Sequence, residues 1–149
     1  MKEIWQAVPL EAAHLKAAAE LEALCFSSPW SEKSLELLLG ESAVGFAVIA
    51  DGRLAAYGGM LTVLDEGQVT NVAVHPDFRR RGCGEAIVDA FLREAEKRGL
   101  VQISLEVRVS NGPAIGLYEK KGFYQAGVRK RFYQNPSEDA FVMLYSRVS

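Results

Sequence analysis

Cysteine and histidine are scarce in this chain of 149 residues, which contains two of each. The cysteines are Cys25 and Cys83, and two cysteines provide neither a disulfide framework nor the ligand cluster of a structural zinc site. With His14 and His75 as the only histidines, we expect no metal in this protein.

An excess of positive charge is also missing from the chain. Seventeen lysines and arginines stand against 19 aspartates and glutamates, which gives a net charge of -2. Domains that bind nucleic acid are usually basic, so we expect no nucleic-acid partner. The three consecutive arginines Arg79, Arg80 and Arg81 are better explained as a local site for one small polyanion.

Long apolar runs are absent as well. No stretch approaches the roughly 20 apolar residues that a membrane span needs, and the first residues lack a secretory signal pattern. We therefore expect a cytoplasmic protein that does not bind membranes. No linker, repeat or low-complexity segment interrupts the sequence, so we expect one domain over residues 1–149.

The periodicity of apolar residues predicts an α/β fold with elements in the order β-α-α-β-β-β-α-β-α-β-β and a mixed sheet. Asp51-Gly52 is a hairpin signal, Ser31 is a candidate helix cap, and Gly99 is a candidate helix end. A further turn is expected at residues 65–67. The predicted strands span about residues 3–8, 44–50, 53–64, 68–74, 101–107, 123–128 and 140–145, and the predicted helices span about residues 10–26, 31–39, 82–98 and 111–121.

A glycine-containing loop, Arg79 to Gly84, lies between a predicted strand and a predicted helix. The amides of a first helical turn attract phosphate, and glycine lets a ligand approach them closely. Dinucleotide loops need a third glycine where this chain has Ile87, and nucleoside-triphosphate loops need Lys and Ser or Thr where it has Glu85-Ala86. A solvated turn before a surface helix is the alternative to a phosphate site.

Two titratable residues follow this loop and are candidates for acid–base chemistry. Glu106 alternates with Leu105 and Val107 in a predicted strand, so it points away from them; it could equally be an exposed glutamate or pair with Arg108. Tyr118 shares a helix face with Ala114 and could donate a proton or pack in the core.

The loop and its flanking strands resemble the Gcn5-related N-acetyltransferase (GNAT) superfamily. The superfamily signature is Gln or Arg, two variable residues, Gly, one variable residue and then Gly or Ala, and Arg79 to Gly84 match every fixed position. The resemblance implies a mixed, mostly antiparallel sheet that is splayed at the acetyl-CoA site and flanked by helices. It also implies acetyl-CoA as cosubstrate, bound by Val72, Ala73, Val74, Arg79, Arg80, Arg81, Gly82, Cys83, Gly84, Glu85, Asn111 and Tyr118.

Five blocks of sequence narrow the resemblance to ribosomal-protein-alanine N-acetyltransferases of the RimI type. They are PWSEKSL, LDEGQVTNVAVHPDF, LEVRVSN, LYEKKGF and FYQNPSEDAFVML, and the resemblance extends over nearly the whole chain. The resemblance implies acetylation of the N-terminal alanine of the eighteenth small-subunit ribosomal protein by direct transfer, with Glu106 as proton acceptor and Tyr118 as general acid. Other protein N-termini, small amines and a non-catalytic acyl-CoA-binding role remain alternatives.

The resemblance also suggests where the acceptor binds. We expect Trp30, Tyr133 and Asp139 in the acceptor groove, together with Phe132 and Glu138. Cys83 stands where the family usually has an aliphatic residue, and no nearby histidine would make it a nucleophile. We expect a monomer or a weak dimer.

Overall fold

The computed structural model describes residues 5–147, and its elements follow the predicted order. Of the predicted first strand, residues 3 and 4 lie outside the described residues, and the observed strand is Val8–Pro9. The strands are β1 (Val8–Pro9), β2 (Ala43–Ala50), β3 (Arg53–Val63), β4 (Glu66–Val74), β5 (Gln102–Arg108), β6 (Tyr124–Tyr133) and β7 (Glu138–Ser146). The α-helices are α1 (Leu15–Cys25), α2 (Glu32–Leu35), α3 (Cys83–Arg98) and α4 (Gly112–Lys120), and short 3-10 turns span Ala12–His14, Glu36–Leu39 and Pro76–Phe78.

The strands form one sheet in the order β1-β2-β3-β4-β5-β7-β6. Neighbouring strands are antiparallel except β4 and β5, which are parallel. The prediction of a mixed, mostly antiparallel sheet flanked by helices is confirmed.

The sheet splays between β4 and β5. These strands pair at their first three residues, from Glu66 with Gln102 to Gln68 with Ser104. Farther along, β4 pairs with β3 and β5 pairs with β7, so the two strands diverge. Thr70 is an extra residue of β4 in its pairing with β3, and such a bulge bends a strand. A wedge therefore opens between the second halves of β4 and β5.

The helices cover both faces of the sheet. Ile87, Phe91 and Ala95 lie four residues apart along α3 and are all buried against one face. Helices α1 and α2 bury leucines against the other face, where they meet Tyr57 of β3. Because successive side chains of a strand point to opposite faces, Ala56 packs with α3 while Tyr57 packs with α1.

The predicted helix signals are borne out by the backbone. Ser31 caps α2 by accepting a hydrogen bond from the Ser34 amide at 3.1 Å, and Gly99 ends α3 with a φ of 71°. The structure adds a third cap, since Asn111 at the start of α4 accepts from the Ala114 amide at 3.2 Å.

One predicted turn is shifted. The connection between β3 and β4 is made by Leu64-Asp65, with Leu64 at a φ of 56°, rather than by residues 65–67. Gly67 belongs to β4, where a Cβ would lie 2.7 Å from the Met60 sulfur. The glycine is needed for close packing, so it was wrong to interpret it as a turn residue.

Candidate active site

A cavity of about 700 Å³ occupies the wedge where β4 and β5 diverge. Its walls come from these strands, from the start of α4, from the segment that follows α1, and from the loop between β6 and β7. Ligand sites favour concave regions of this size. Among the residues predicted for a site, the lining includes Trp30, Val72, Glu106, Asn111, Tyr118, Phe132, Tyr133 and Glu138.

Glu106 reaches this cavity because of the strand alternation predicted for β5. Ile103, Leu105 and Val107 are buried in the core, while the Glu106 side chain faces the opposite way and keeps 29% of its surface exposed. Its carboxylate lies 3.4 Å from the Arg129 guanidinium on β6. The alternative pairing with Arg108 does not describe this site, because the Arg108 guanidinium pairs with Glu138 at 3.1 Å.

Tyr118 lines the same cavity from α4. Its residue is only 7% exposed, and its ring packs on Phe123 with the ring centroids 5.7 Å apart. Burial raises the pKa of the Tyr118 phenol far above its usual value, and the nearby Tyr133 contributes in the same direction. The phenol is therefore protonated at neutral pH and is available as a donor.

Besides burial, the negative charge of Glu106 helps to raise the pKa of Tyr133. Burial is the main cause that raises the pKa of Tyr133 to about 12, and the negative charge of Glu106 is the next. The cavity therefore brings the Glu106 carboxylate together with the phenols of Tyr118 and Tyr133, although these three residues come from three separate elements.

The glycine loop has the backbone of an anion cradle. Gly82 adopts a φ of 94°, in the region that favours glycine, and Arg80 adopts a φ of 63°. The Ala86 amide donates to the Gly82 carbonyl at 3.1 Å and so begins the hydrogen-bond ladder of α3. The amides of Cys83, Gly84 and Glu85 precede that bond, in the electropositive first turn of a helix of 16 residues.

Two of the arginine side chains in this loop contact neighbouring elements of the fold. The Arg81 guanidinium lies over the rings of Trp5 and Phe78, at 5.3 and 5.1 Å, and the Trp5 indole donates to the Arg81 carbonyl at 2.6 Å. Arg79 donates to the Val74 carbonyl at 3.3 Å. These contacts fix the loop against β4 and against the described N-terminal segment.

The remaining loop residues join α3 to its surroundings. Glu85 forms an ion pair with Lys121 at 2.8 Å, which links α3 to the end of α4. Hydrogen bonds to Glu85 and Asp89 raise the pKa of Lys121. Cys83 is 1% exposed and belongs to the core.

The β6–β7 side of the cavity is held by Arg108, whose role sequence reasoning missed. Its guanidinium donates to the carbonyls of Gln134 and Pro136 at 3.1 and 3.0 Å and pairs with Glu138. It also lies over the Tyr133 ring. Arg108 therefore fixes the β6–β7 loop over the cavity, through contacts between residues far apart in sequence.

Asp139, which we expected in the acceptor groove, contacts residues of β6 instead. Its carboxylate accepts from the Arg131 amide at 2.9 Å and from Lys130 at 3.3 Å, and these contacts lower the pKa of Asp139. Arg131 has a φ of 53°, so the carboxylate holds an irregular part of β6. Among the described residues that line the cavity, the neighbouring Glu138 is present and Asp139 is not.

A buried carboxylate, Glu22, is a second feature that sequence reasoning missed. It lies on α1 at the floor of the cavity and is 0% exposed. It accepts hydrogen bonds from the Trp30 amide, the Tyr57 hydroxyl and the Asn71 side chain. Its signal in the sequence is its place four residues after Ala18, on the apolar face of α1.

Comparison with known proteins identifies the family. Residues 15–123 match the model of the Acetyltransferase (GNAT) family. The chain belongs to this family. The predicted resemblance is thereby confirmed, and the splayed sheet, the glycine loop and the cavity are the features of a GNAT acetyltransferase in this chain.

Individual relatives of this GNAT acetyltransferase agree over most of its length. It is 40% identical to the [Ribosomal protein bS18]-alanine N-acetyltransferase of Escherichia coli K12 over 136 residues, which cover 90% of this chain and 92% of that protein. It is 40% identical to a putative enzyme of the same name from Bacillus subtilis, over 83% of each chain. The crystal structure of the Escherichia coli enzyme superposes with a TM-score of 0.88 at 37% identity, covering 98% of this chain and 96% of that one.

The described residues also bear on metal sites and membrane spans. In the range 5–147, histidine, cysteine, aspartate and glutamate form no group of three or more that is placed to hold a metal ion. Within the same described residues, no helix has both the length and the apolar character needed to cross a membrane.

Proposed function

We propose that this acetyltransferase moves the acetyl group of acetyl-CoA to the N-terminal alanine of ribosomal protein bS18, by direct transfer in a ternary complex. The observation that carries the proposal is the cavity at the β4–β5 divergence, which is lined by Glu106 of β5 and Tyr118 of α4. The names of the 40% identical relatives support the choice of acceptor. We expect the reaction in the cytoplasm, by a monomer or a weak dimer that needs neither nucleic acid nor membrane.

The residues of the glycine loop fit the pyrophosphate of acetyl-CoA. The first turn of α3 presents amides from Gly82 to Glu85, and the positive φ of Gly82 turns the chain into that helix without a side chain in the way. Val72 of β4 lines the cavity, and the β4 backbone from Val72 to Val74 would hold the pantetheine arm. Asn111, which caps α4 and lines the cavity, lies where it would contact the same arm.

The acceptor amine has to be neutral before it can attack. A free α-amino group has a pKa of about 7.7–8.0, so roughly a tenth of it is neutral at pH 7, whereas a lysine amine near 10.4 is neutral in less than about 0.1% of molecules. A modest base is therefore sufficient for an N-terminus. The Glu106 carboxylate would take the proton, directly or through one water.

The thiolate that leaves has to be protonated or stabilised. The buried Tyr118 phenol keeps its proton at neutral pH and lines the cavity, so it would donate that proton to the sulfur. Cys83 is unsuited to carry the acetyl group because its side chain is buried in the core. Because the proposed base, Glu106, and the proposed acid, Tyr118, are separate residues, one can act on the amine while the other acts on the sulfur. This arrangement suits a single transfer step between two bound substrates.

The experiment that tests this function compares three acceptors. Acetyl-CoA is mixed with a peptide that carries the bS18 N-terminus, with the same peptide after its α-amine has been blocked, and with a panel of polyamines, and the release of CoA thiol is followed. We expect turnover with the free α-amine peptide alone. Turnover confined to polyamines would contradict the proposed acceptor. Binding of CoA without any turnover, unchanged in Glu106→Gln, would identify a non-catalytic acyl-CoA-binding protein.

A further inference from the structure

Glu22 joins three elements at the floor of the cavity. Its Oε1 accepts from the Trp30 amide at 2.9 Å, in the segment between α1 and α2. Its Oε2 accepts from the Tyr57 hydroxyl of β3 and, at 2.8 Å, from the Asn71 side chain of β4. One carboxyl group thus connects the Trp30 segment to the strand that borders the wedge.

Stability alone is a poor explanation of this arrangement. Taking a carboxylate out of water is costly, and well-packed apolar side chains of similar volume are often as stabilising as a buried charged network. Burial raises the pKa of Glu22, while its three hydrogen bonds act in the opposite direction. The carboxylate fixes the relative positions of three parts of the chain, because donors from the Trp30 segment, β3 and β4 all bind its two oxygens.

Glu22 is too enclosed to contact the acceptor itself. Its residue is 0% exposed, and both of its oxygens already accept hydrogen bonds from the protein. Trp30 and Asn71 also line the cavity, and both are only partly buried. Any effect of Glu22 on the acceptor therefore passes through these two neighbours.

We propose that Glu22 is a positioning residue that fixes the Trp30 wall of the acceptor cavity at a set distance from β4. The inference rests on the proposed function, since it assigns this wall to the acceptor peptide and β4 to acetyl-CoA. The same segment is tied on its other side, where the Ser27 hydroxyl donates to the Gln134 carbonyl of the β6–β7 loop at 2.9 Å. Glu22 supplies the inner of these two attachments.

Two substitutions of Glu22 separate hydrogen bonding from charge. In Glu22→Gln, the amide oxygen still accepts from the Trp30 amide. The amide nitrogen donates to Asn71 once the Asn71 side-chain amide turns over, and to the Tyr57 oxygen once that hydroxyl rotates to accept. In Glu22→Met, the side chain keeps its length but the Trp30, Tyr57 and Asn71 donors all lose their acceptor. Glu20→Gln on the exposed side of α1 is the matched control.

Steady-state kinetics with both substrates provides the first readout. We expect Glu22→Met to raise KM for the alanine peptide at least about tenfold and to change KM for acetyl-CoA by less than about twofold. Glu22→Gln and Glu20→Gln should stay within about twofold of the unmodified protein for both substrates. An equal rise in both KM values, or an unchanged peptide KM in Glu22→Met, would overturn the inference. So would a Glu22→Gln variant as impaired as Glu22→Met, because the charge itself would then be needed.

Hydrogen exchange of the Trp30 amide gives a second readout that needs no activity. We expect this amide to exchange at least about tenfold faster in Glu22→Met than in Glu22→Gln, at matched global stability. If Glu22→Met does not fold, Glu22→Asp serves instead, because its shorter side chain draws the acceptor away from the Trp30 amide. If the Trp30 amide exchanges fast in Glu22→Met but the peptide kinetics are normal, Glu22 does not position the acceptor wall, and the proposed function is unaffected. Failure of the unmodified protein to acetylate the peptide would contradict the function, while exchange would still report on the attachment.

Discussion

The Arg108 guanidinium lies over the Tyr133 ring, with its central carbon 4.5 Å from the ring centroid. The same guanidinium donates to two backbone carbonyls of the β6–β7 loop and to Glu138. Tyr133 and this loop line the same cavity as the Trp30 segment. One planar cation therefore organises the outer wall of the proposed acceptor site, and arginine suits this role because its donors form a rigid fork.

Arg108→Lys should therefore impair acceptor binding although it preserves the charge. A lysine ammonium is a point charge that cannot satisfy Gln134, Pro136 and Glu138 while it stacks on Tyr133. We expect KM for the alanine peptide to rise about tenfold and KM for acetyl-CoA to stay within about twofold. Arg93→Lys, at an exposed position of α3, is the control for arginine replacement in general. A variant with normal peptide KM would show that charge alone holds the loop.

Glu106→Gln tests the proposed base through the pH dependence of the reaction. General-base catalysis contributes about 10²–10⁴-fold, so we expect kcat/KM at pH 7 to fall by about 100-fold. Rising pH deprotonates the α-amine near its pKa of about 8 and reduces the need for a base. The loss should therefore shrink above pH 8 in a pH–rate profile. A loss that is equally large at every pH would point to a structural role, for which Glu119→Gln on α4 is the control.

Local signals explain how much of this fold the sequence predicted. Ser31, Asn111 and Gly99 act on backbone within four residues of themselves, so their capping roles could be inferred from spacing. The Asp51-Gly52 hairpin has both residues at positive φ and belongs to the same class. The alternation that turns Glu106 away from its apolar neighbours likewise depends only on strand geometry.

Features that depend on distant contacts could not be predicted. Arg108 meets Glu138 across 30 positions of sequence, and Glu22 meets Tyr57 across 35. No local pattern encodes such pairs, because they arise when the sheet and helices pack. Gly67 misled the sequence interpretation for the same reason, since its small size is required by Met60 rather than by a turn.

Tyr118→Phe tests the proposed acid while preserving the packing of the ring on Phe123. We expect kcat to fall about 100-fold, since the phenol proton is lost, and the Kd of CoA to stay within about twofold. A thioester donor with a more acidic thiol should narrow the difference, because a better leaving group needs less protonation. Tyr124→Phe, whose ring is half exposed, is the control. An unaffected rate would remove Tyr118 from the mechanism.

Gly82→Ala should weaken the binding of CoA through the backbone. Gly82 has a φ of 94°, and a residue with a Cβ is strained by about 1–2 kcal/mol in left-handed conformations. We expect the loop to relax away from the first turn of α3 and the Kd of CoA to rise about tenfold, measured by calorimetry. Gly116→Ala is the matched control because a Cβ there meets nothing within 4 Å, and alanine should raise helix stability by about 1 kcal/mol. Unchanged CoA affinity in Gly82→Ala would mean that the loop does not hold the pyrophosphate.

Glu138 should make the free energy of unfolding depend on pH in the acidic range. Hydrogen bonds from Ser110 and Arg108 lower the pKa of Glu138 below the unfolded value of about 4.3. A carboxyl with a lowered pKa in the folded state stabilises the fold above the unfolded pKa, and this contribution disappears as pH falls through the folded value. Glu138→Gln should therefore lower the free energy of unfolding in urea at pH 7, and the difference from the unmodified protein should close as the pH is taken below about 4. A difference that stays constant from pH 7 down to about pH 3 would contradict the lowered pKa, and Glu119→Gln controls for the loss of one surface charge.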